Sequence, residues 1–400
     1  MSRHLGLVFH ASEFDSIFEE QALFFYLLGN GQIHRSIFLS PAKNPSRTKE
    51  SSLYSSLARK VVSESLQLGK GETVTVETWN NGLPFATEVV KEARKIGSIP
   101  LLVLEDEEAY LYGVKNMPRD VLGSMGKHEY NLLYGSDAYV FIPGPMLGAY
   151  SPMLTHDESV ASTAYGTSWY QAAEKAKLRG VRLSFGYVGK DLAKLLGKPA
   201  GDIAQHLIKA SLVDFESLKK QGRQISESLL DGASSTLQTR GSKLEFKLSG
   251  DLTIEDGIAD DADVSMRDNV SYVPPGMISK QVDRSSASGK VRLSPTVTRL
   301  GIVSDAILEF EGGRLTKWKS DVKRSNKMLN ELVGTVAEDK RLLTNLIIGY
   351  NPSMKFGYSQ DRFVSGAIGI TGFGLTGIIR NGTLSVNGKS IVEKGKLKLV

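Results

Sequence analysis

A chain of 400 residues, 41% hydrophobic and 23% charged, can bury two substantial cores and has the composition of an ordinary globular protein. Its 49 basic and 44 acidic residues leave a dispersed surplus of +5 (pI near 9.0), too thin for a nucleic-acid footprint, so a nucleic-acid partner is not expected. Cysteine is absent, no apolar run approaches the ~20 residues of a membrane span, and no basic-then-apolar leader opens the chain; a cytoplasmic protein without disulfides or a membrane partner is the expectation.

Residues 1–40 alternate apolar clusters (Leu5 to Phe9, Ala22 to Leu28, Ser36 to Leu39) with polar spacers and a turn at Gly29-Asn30-Gly31. The polar, proline-broken run from Pro41 to Ser52 reads as an exposed linker, so residues 1–52 form an added N-terminal element. From Ser56 the pattern alternates. Leu57, Val61, Val62 and Leu66 fall at helical spacing, Thr73 to Thr78 is a β-branched strand, Phe85, Val89, Val90 and Ala93 mark a second helix, and Ile99 to Leu104 a second strand. Such alternation predicts a mostly parallel, doubly wound sheet with helices on both faces, assigned to residues 53–240. Apolar positions from Ile203 to Leu229 describe helices, and strands Thr236 to Thr239 and Lys243 to Leu248 open a β-rich α+β domain assigned to 241–400.

Several smaller signals have plain readings. Glu255, Asp256, Asp260, Asp261 and Asp263 suit a hard cation in type but not in spacing, and read as a solvated loop. Gly372 to Gly377 matches the dinucleotide fingerprint by letter, but strand and turn residues follow where that motif needs a helix. His156 beside Asp157 and Glu158 lacks a glycine-flanked serine nucleophile and reads as a surface histidine. Tyr150, Tyr165, Trp169 and Tyr170 read either as cleft residues or as packing. Lys317-Trp318-Lys319 with Lys323-Arg324 reads as a basic face of an exposed helix.

The last quarter carries the most specific pattern. Asn345 precedes Ile348-Gly349-Tyr350-Asn351-Pro352, then come Asp361-Arg362-Phe363, Gly366 to Thr371, and Leu384 to Gly388, after Pro274-Pro275-Gly276-Met277 upstream. In this order the segments resemble the aminopeptidase T family of dimeric metallopeptidases, as do Leu57 to Val76, Ser136 to Ile142, Arg182 to Tyr187 and Ala210 to Phe215. The resemblance runs from about 56 to 400 and implies that family's two-domain fold, its homodimer and a two-metal peptidase site in the second domain.

Aligned on that frame, the ligand positions are degenerate. Met277 and Asn345 stand where the family has Glu, Gly369 where it has its first His, and Gly374 and Thr376 where it has His-x-Asp. Paired divalent ions about 3.5 to 4 Å apart need carboxylates and imidazoles, and all six histidines (His4, His10, His34, His128, His156, His206) precede this region. The sequence therefore points to a catalytically silent relative that acts as a binding or scaffolding module for a peptide or protein through its cleft or dimer surface, with no cofactor. The alternative is a metal-dependent aminopeptidase or related hydrolase whose Zn, Co or Mn is held by displaced carboxylates such as Asp283, Glu309, Glu311 and Asp361.

Overall fold

The computed structural model describes residues 45–398 apart from 149, and side chains from 52 onward, so the N-terminal clusters and the Gly29 to Gly31 turn lie outside the described residues. Two thirds of the expected linker, from residue 45 on, is helix: Pro45–Lys60 winds as one α-helix continued by a π-turn at Val61–Ser65. Proline is tolerated in a first helical turn, where its missing N–H has no partner to lose, and helix-competent residues follow it.

Five strands then form a wholly parallel sheet. β1 (Thr73–Trp79), β2 (Ile99–Glu105), β3 (Ala138–Ile142) and β4 (Arg179–Leu183) arise with helices between them. The next two, β5 (Ser234–Thr239) and β6 (Ser242–Glu255), belong elsewhere, and β7 (Val270–Val273) returns to complete the order β2-β1-β3-β4-β7. Two sequence assignments are thereby revised: β5 precedes residue 240 but lies in the antiparallel sheet, and β7 follows it but pairs parallel with β4. The short apolar run of β7 satisfies its backbone on an open parallel edge, a pairing that spacing along the chain does not reveal.

The remaining strands are β8 (Met277–Val282), β9 (Ser288–Arg292), β10 (Thr296–Thr298), β11 (Gly301–Val303), β12 (Ala306–Glu311), β13 (Arg314–Ser320), β14 (Asn345–Gly349), β15 (Ile368–Thr371), β16 (Gly377–Ile379), β17 (Thr383–Val386), β18 (Lys389–Glu393) and β19 (Lys396–Leu397). Their main path runs β16-β15-β14-β8-β6-β5-β17-β18-β19, with β9, β12 and β13 branching from β6 and β10 pairing β11. Lys317, Trp318 and Lys319 lie on β13, not on a helix; the Trp318 indole donates to Asn330 Oδ1 at 2.9 Å, which ties the strand to the helix Lys323–Gly334.

Two large cores result. The first gathers Val74, Val76, Val140 and Val181 of the parallel sheet with Phe85 and Val89 of its helices, and also takes in Ile347, Met354, Phe363 and Val364 from the C-terminal region. The second fills the antiparallel half around Leu237, Phe246, Ile278 and Phe310. No described helix is long and apolar enough to cross a membrane.

Candidate functional site

Parallel pairing places residues in register on the same face of the sheet. One such row reads Glu77 on β1, Phe141 on β3, Arg182 on β4 and Tyr272 on β7. Charged groups in the middle of a covered parallel sheet are costly to desolvate and mark the row as unusual.

Arg182 is the centre of this row. Its guanidinium lies 5.0 Å from the Phe141 ring, 5.4 Å from Tyr187 and 6.0 Å from Tyr272, and Nη1 donates to the Tyr170 hydroxyl at 3.1 Å. Burial pushes the Tyr187 phenol up to about 12 against the pull of Arg182, so this ring offers a neutral hydroxyl at physiological pH. The Nε of Arg182 is buried without a hydrogen-bond partner.

A cavity of about 430 Å³ opens beside Arg182. Arg299 and Arg362 reach it from the loops after β10 and before β15, and each also carries a buried nitrogen without a partner, Nη2 and Nε respectively. Arg362 stacks 5.8 Å from the same Tyr272 ring and 5.2 Å from Phe363. The one carboxylate in the lining, Asp361, is already engaged: it accepts from Gly357 N at 2.9 Å and from Arg380 Nη2 at 3.1 Å. Burial raises its pKa even so, outweighing those donors. The cavity wall is thus strongly positive.

A second cavity, about 460 Å³, covers the other end of the row and shares Arg182 and Leu147 with the first. Its walls include Glu77, Glu129, Tyr165, Trp169 and Tyr170, so three of the aromatics singled out in the sequence face a cavity. Tyr139 donates to Glu77, and Tyr165 to Glu129. Burial pushes Glu77 up to about 7 despite the Tyr139 hydroxyl.

The five degenerate positions do not share a centre. Met277 pairs with Gly349 and Asn345 with Gln281, so they lie four residues apart along β8 and β14, about 13 Å at strand rise. Asn345 donates to Ser279 Oγ at 3.2 Å. A Cβ at Gly369 would come within 2.9 Å of Ile347 Cβ, and Gly374 has φ +99° with Leu332 O only 2.4 Å from a Cβ. Neither backbone accepts a side chain without movement. Gly374 and Thr376 do line the arginine cavity.

The two-metal centre implied by the resemblance does not fit these residues. A thioether, two glycines and neutral amide and hydroxyl oxygens offer neither anionic donors nor imidazoles, and the nearest cavity presents guanidinium groups to any cation. Among the described residues no three His, Cys, Asp or Glu side chains come together as a metal group. The carboxylates considered as replacements are dispersed: Asp283 accepts from Ser285 N at 2.9 Å, Glu309 lies 3.3 Å from Lys290, Glu311 ends β12, and Asp361 holds Arg380.

Other sequence candidates have structural employment. Asp260 caps the helix Asp261–Ser265 and pairs with Lys219 at 2.6 Å, while Asp263 completes the capping box. His156 begins the helix His156–Ala176, whose cap is Thr155 with Glu158. His206 accepts from Lys355 N at 3.1 Å, and burial lowers its pKa. After Gly372 to Gly377 the chain continues into β16, so no helix N-terminus faces that glycine run.

No family model matches the sequence, and no curated protein matches it. Among solved structures, wild-type AmpT from Thermus thermophilus superposes with a TM-score of 0.60 at 14% identity, over 86% of this chain and 99% of that one. The structure of 2,5-dihydroxypyridine dioxygenase from Pseudomonas putida KT2440 gives 0.53 at 14% identity, over 88% and 98%. At such identities the likeness speaks for fold alone, and a fold that carries both names selects no chemistry by itself. The chain has the aminopeptidase T-like fold, a parallel-sheet α/β half and a separate antiparallel β-rich half.

Proposed function

We propose that this protein is a catalytically silent relative on the aminopeptidase T-like fold, acting as a binding module through the cleft beside Arg182. The observation that carries this reading is the cavity wall at Gly374 and Thr376, where Arg182, Arg299 and Arg362 stand and no set of metal-binding side chains does. Positive charge concentrated there repels divalent cations and attracts an anionic or strongly polar partner.

Elemental analysis of the purified chain tests the silent half of the reading, with stoichiometric zinc, cobalt or manganese counting against it. A panel of aminoacyl fluorogenic substrates with added Zn²⁺ or Co²⁺ is expected to show no turnover above buffer. Measurable saturable hydrolysis would instead establish the metal-dependent hydrolase. The homodimer belongs to the same proposal: light scattering is expected to give twice the 43.6 kDa chain mass, and a monomer removes it.

A further inference from the structure

We propose that the cavity bounded by Arg182, Arg299 and Arg362 is a binding site for a small organic oxyanion, a carboxylate or phosphate ester whose apolar body rests on the surrounding side chains. The inference deepens the binding reading above and rests on it.

The argument begins with an electrostatic imbalance. Among the described residues neither Arg182 nor Arg362 stands in an ion pair within 4.0 Å, and Arg299 has only Glu331, at 3.7 Å. Guanidinium groups stay protonated under any physiological condition, so their charge cannot be relieved by titration. Removing such a charge from water costs several kcal/mol unless it is paired and its N–H groups are accepted. The aromatic faces of Phe141, Tyr187 and Tyr272 return only part of this cost. They accept no in-plane N–H. Arg182 Nε, Arg299 Nη2 and Arg362 Nε are enclosed without any acceptor, so the protein leaves these guanidinium groups under-satisfied, and an oxyanion in the cavity they line would supply the missing charge and acceptors to the set.

Three independent elements contribute the cations: β4, the loop after β10, and the loop preceding β15. A chance surface cluster does not bring a central sheet residue and two distant loops to one cavity. Asp361 does not cancel the set, because Arg380 already occupies it. Volume and lining set the ligand's body. About 430 Å³ far exceeds a bare carboxylate or phosphate, and Leu147, Leu332, Leu375 and Ile378 provide apolar contact for a compact hydrocarbon or aromatic portion.

Thermal unfolding and isothermal titration calorimetry on the full chain at low ionic strength test the proposal. The probes are benzoate, succinate and inorganic phosphate, with benzamide and matched sodium chloride as neutral and ionic-strength controls. At least one oxyanion is expected to bind saturably with a dissociation constant of about 1 mM or tighter, while the controls do not. A response to carboxylates alone assigns an organic acid, and a response to phosphate alone assigns a phosphate ester. Arg362→Gln and Arg299→Gln are expected to weaken the binding by about tenfold each. Arg182→Lys keeps the charge but loses the planar fork and is expected to weaken it as well. Absence of saturable binding by all three probes, or equal binding by the wild type and the Arg299→Gln, Arg362→Gln double variant, overturns the inference. Failures remain distinguishable: bound zinc with intact oxyanion binding sinks only the silent reading, and a metal-free chain that ignores every oxyanion sinks only this one.

Discussion

Replacing Glu255 with glutamine is expected to stabilise the protein at pH 8 and to flatten its stability between pH 4.5 and 8. Glu255 sits buried at the end of β6, with Oε2 accepting from Tyr272 N at 3.0 Å. Burial and the nearby Asp268 push its pKa up from 4.5 to about 8, against the pull of Tyr272 N and Arg362. A folded pKa above the unfolded one means the native chain keeps a proton that the unfolded chain gives up. The contribution is therefore complete below pH 4.5 and is lost as pH rises through about 8, at a slope of at most about 1.4 kcal/mol per pH unit. Glutamine retains an oxygen for Tyr272 N and cannot ionise. Unfolding free energies from urea denaturation at intervals across this window are expected to converge for the two proteins near pH 4.5 and to diverge by a few kcal/mol near pH 8, in favour of the variant. Parallel curves would contradict the assignment.

Asn351→Ala is expected to cost about 3 kcal/mol or more, because the side chain is a buried junction among three segments. Its Nδ2 donates to Ala210 O at 3.0 Å and Pro275 O at 2.7 Å, and its Oδ1 accepts from Ser353 N at 2.8 Å. The residue is wholly enclosed, so alanine strands those groups where water does not reach. Main-chain bonds from Asn351 N to Phe363 O and from Ser365 N to Asn351 O tie the same point to the loop bearing Arg362. Equilibrium denaturation checks the magnitude, and a loss below about 1 kcal/mol would show that the junction relaxes or hydrates freely. Since Arg362 hangs from this loop, weaker oxyanion binding is expected with the loss of stability.

The fold was legible in the sequence where periodicity was strong. The β-branched run at Thr73 and the apolar run at Ile99 became β1 and β2, with the helix Leu83–Lys95 between them. Long-range pairing was not legible. Four residues at Val270 carry no label that sends them to the edge of β4, and only the structure shows the return. The site was legible in part. Tyr165, Trp169 and Tyr170 face a cavity, and of the five degenerate positions Gly374 and Thr376 line the charged cavity around Arg182, whereas Met277, Asn345 and Gly369 point instead to β8, β14 and β15. A signal was present: Glu77 in Thr-Val-Glu-Thr-Trp and Arg182 in Gly-Val-Arg-Leu interrupt strands that a covered parallel sheet otherwise fills with apolar residues. Arg299 and Arg362 lie in loops, where an arginine is unremarkable until the chain brings it beside another.

The return of β7 limits how the molecule can move. The chain crosses from the antiparallel half into the parallel sheet and back again within residues 255–277, and Phe363 and Val364 are embedded among helices of the first half. Opening the halves like a clamshell would tear a strand from its neighbour and pull aromatic mass from a core. Binding at the arginines must therefore be accommodated without parting the halves, and cutting the chain near residue 240 would separate β7 from its neighbour β4.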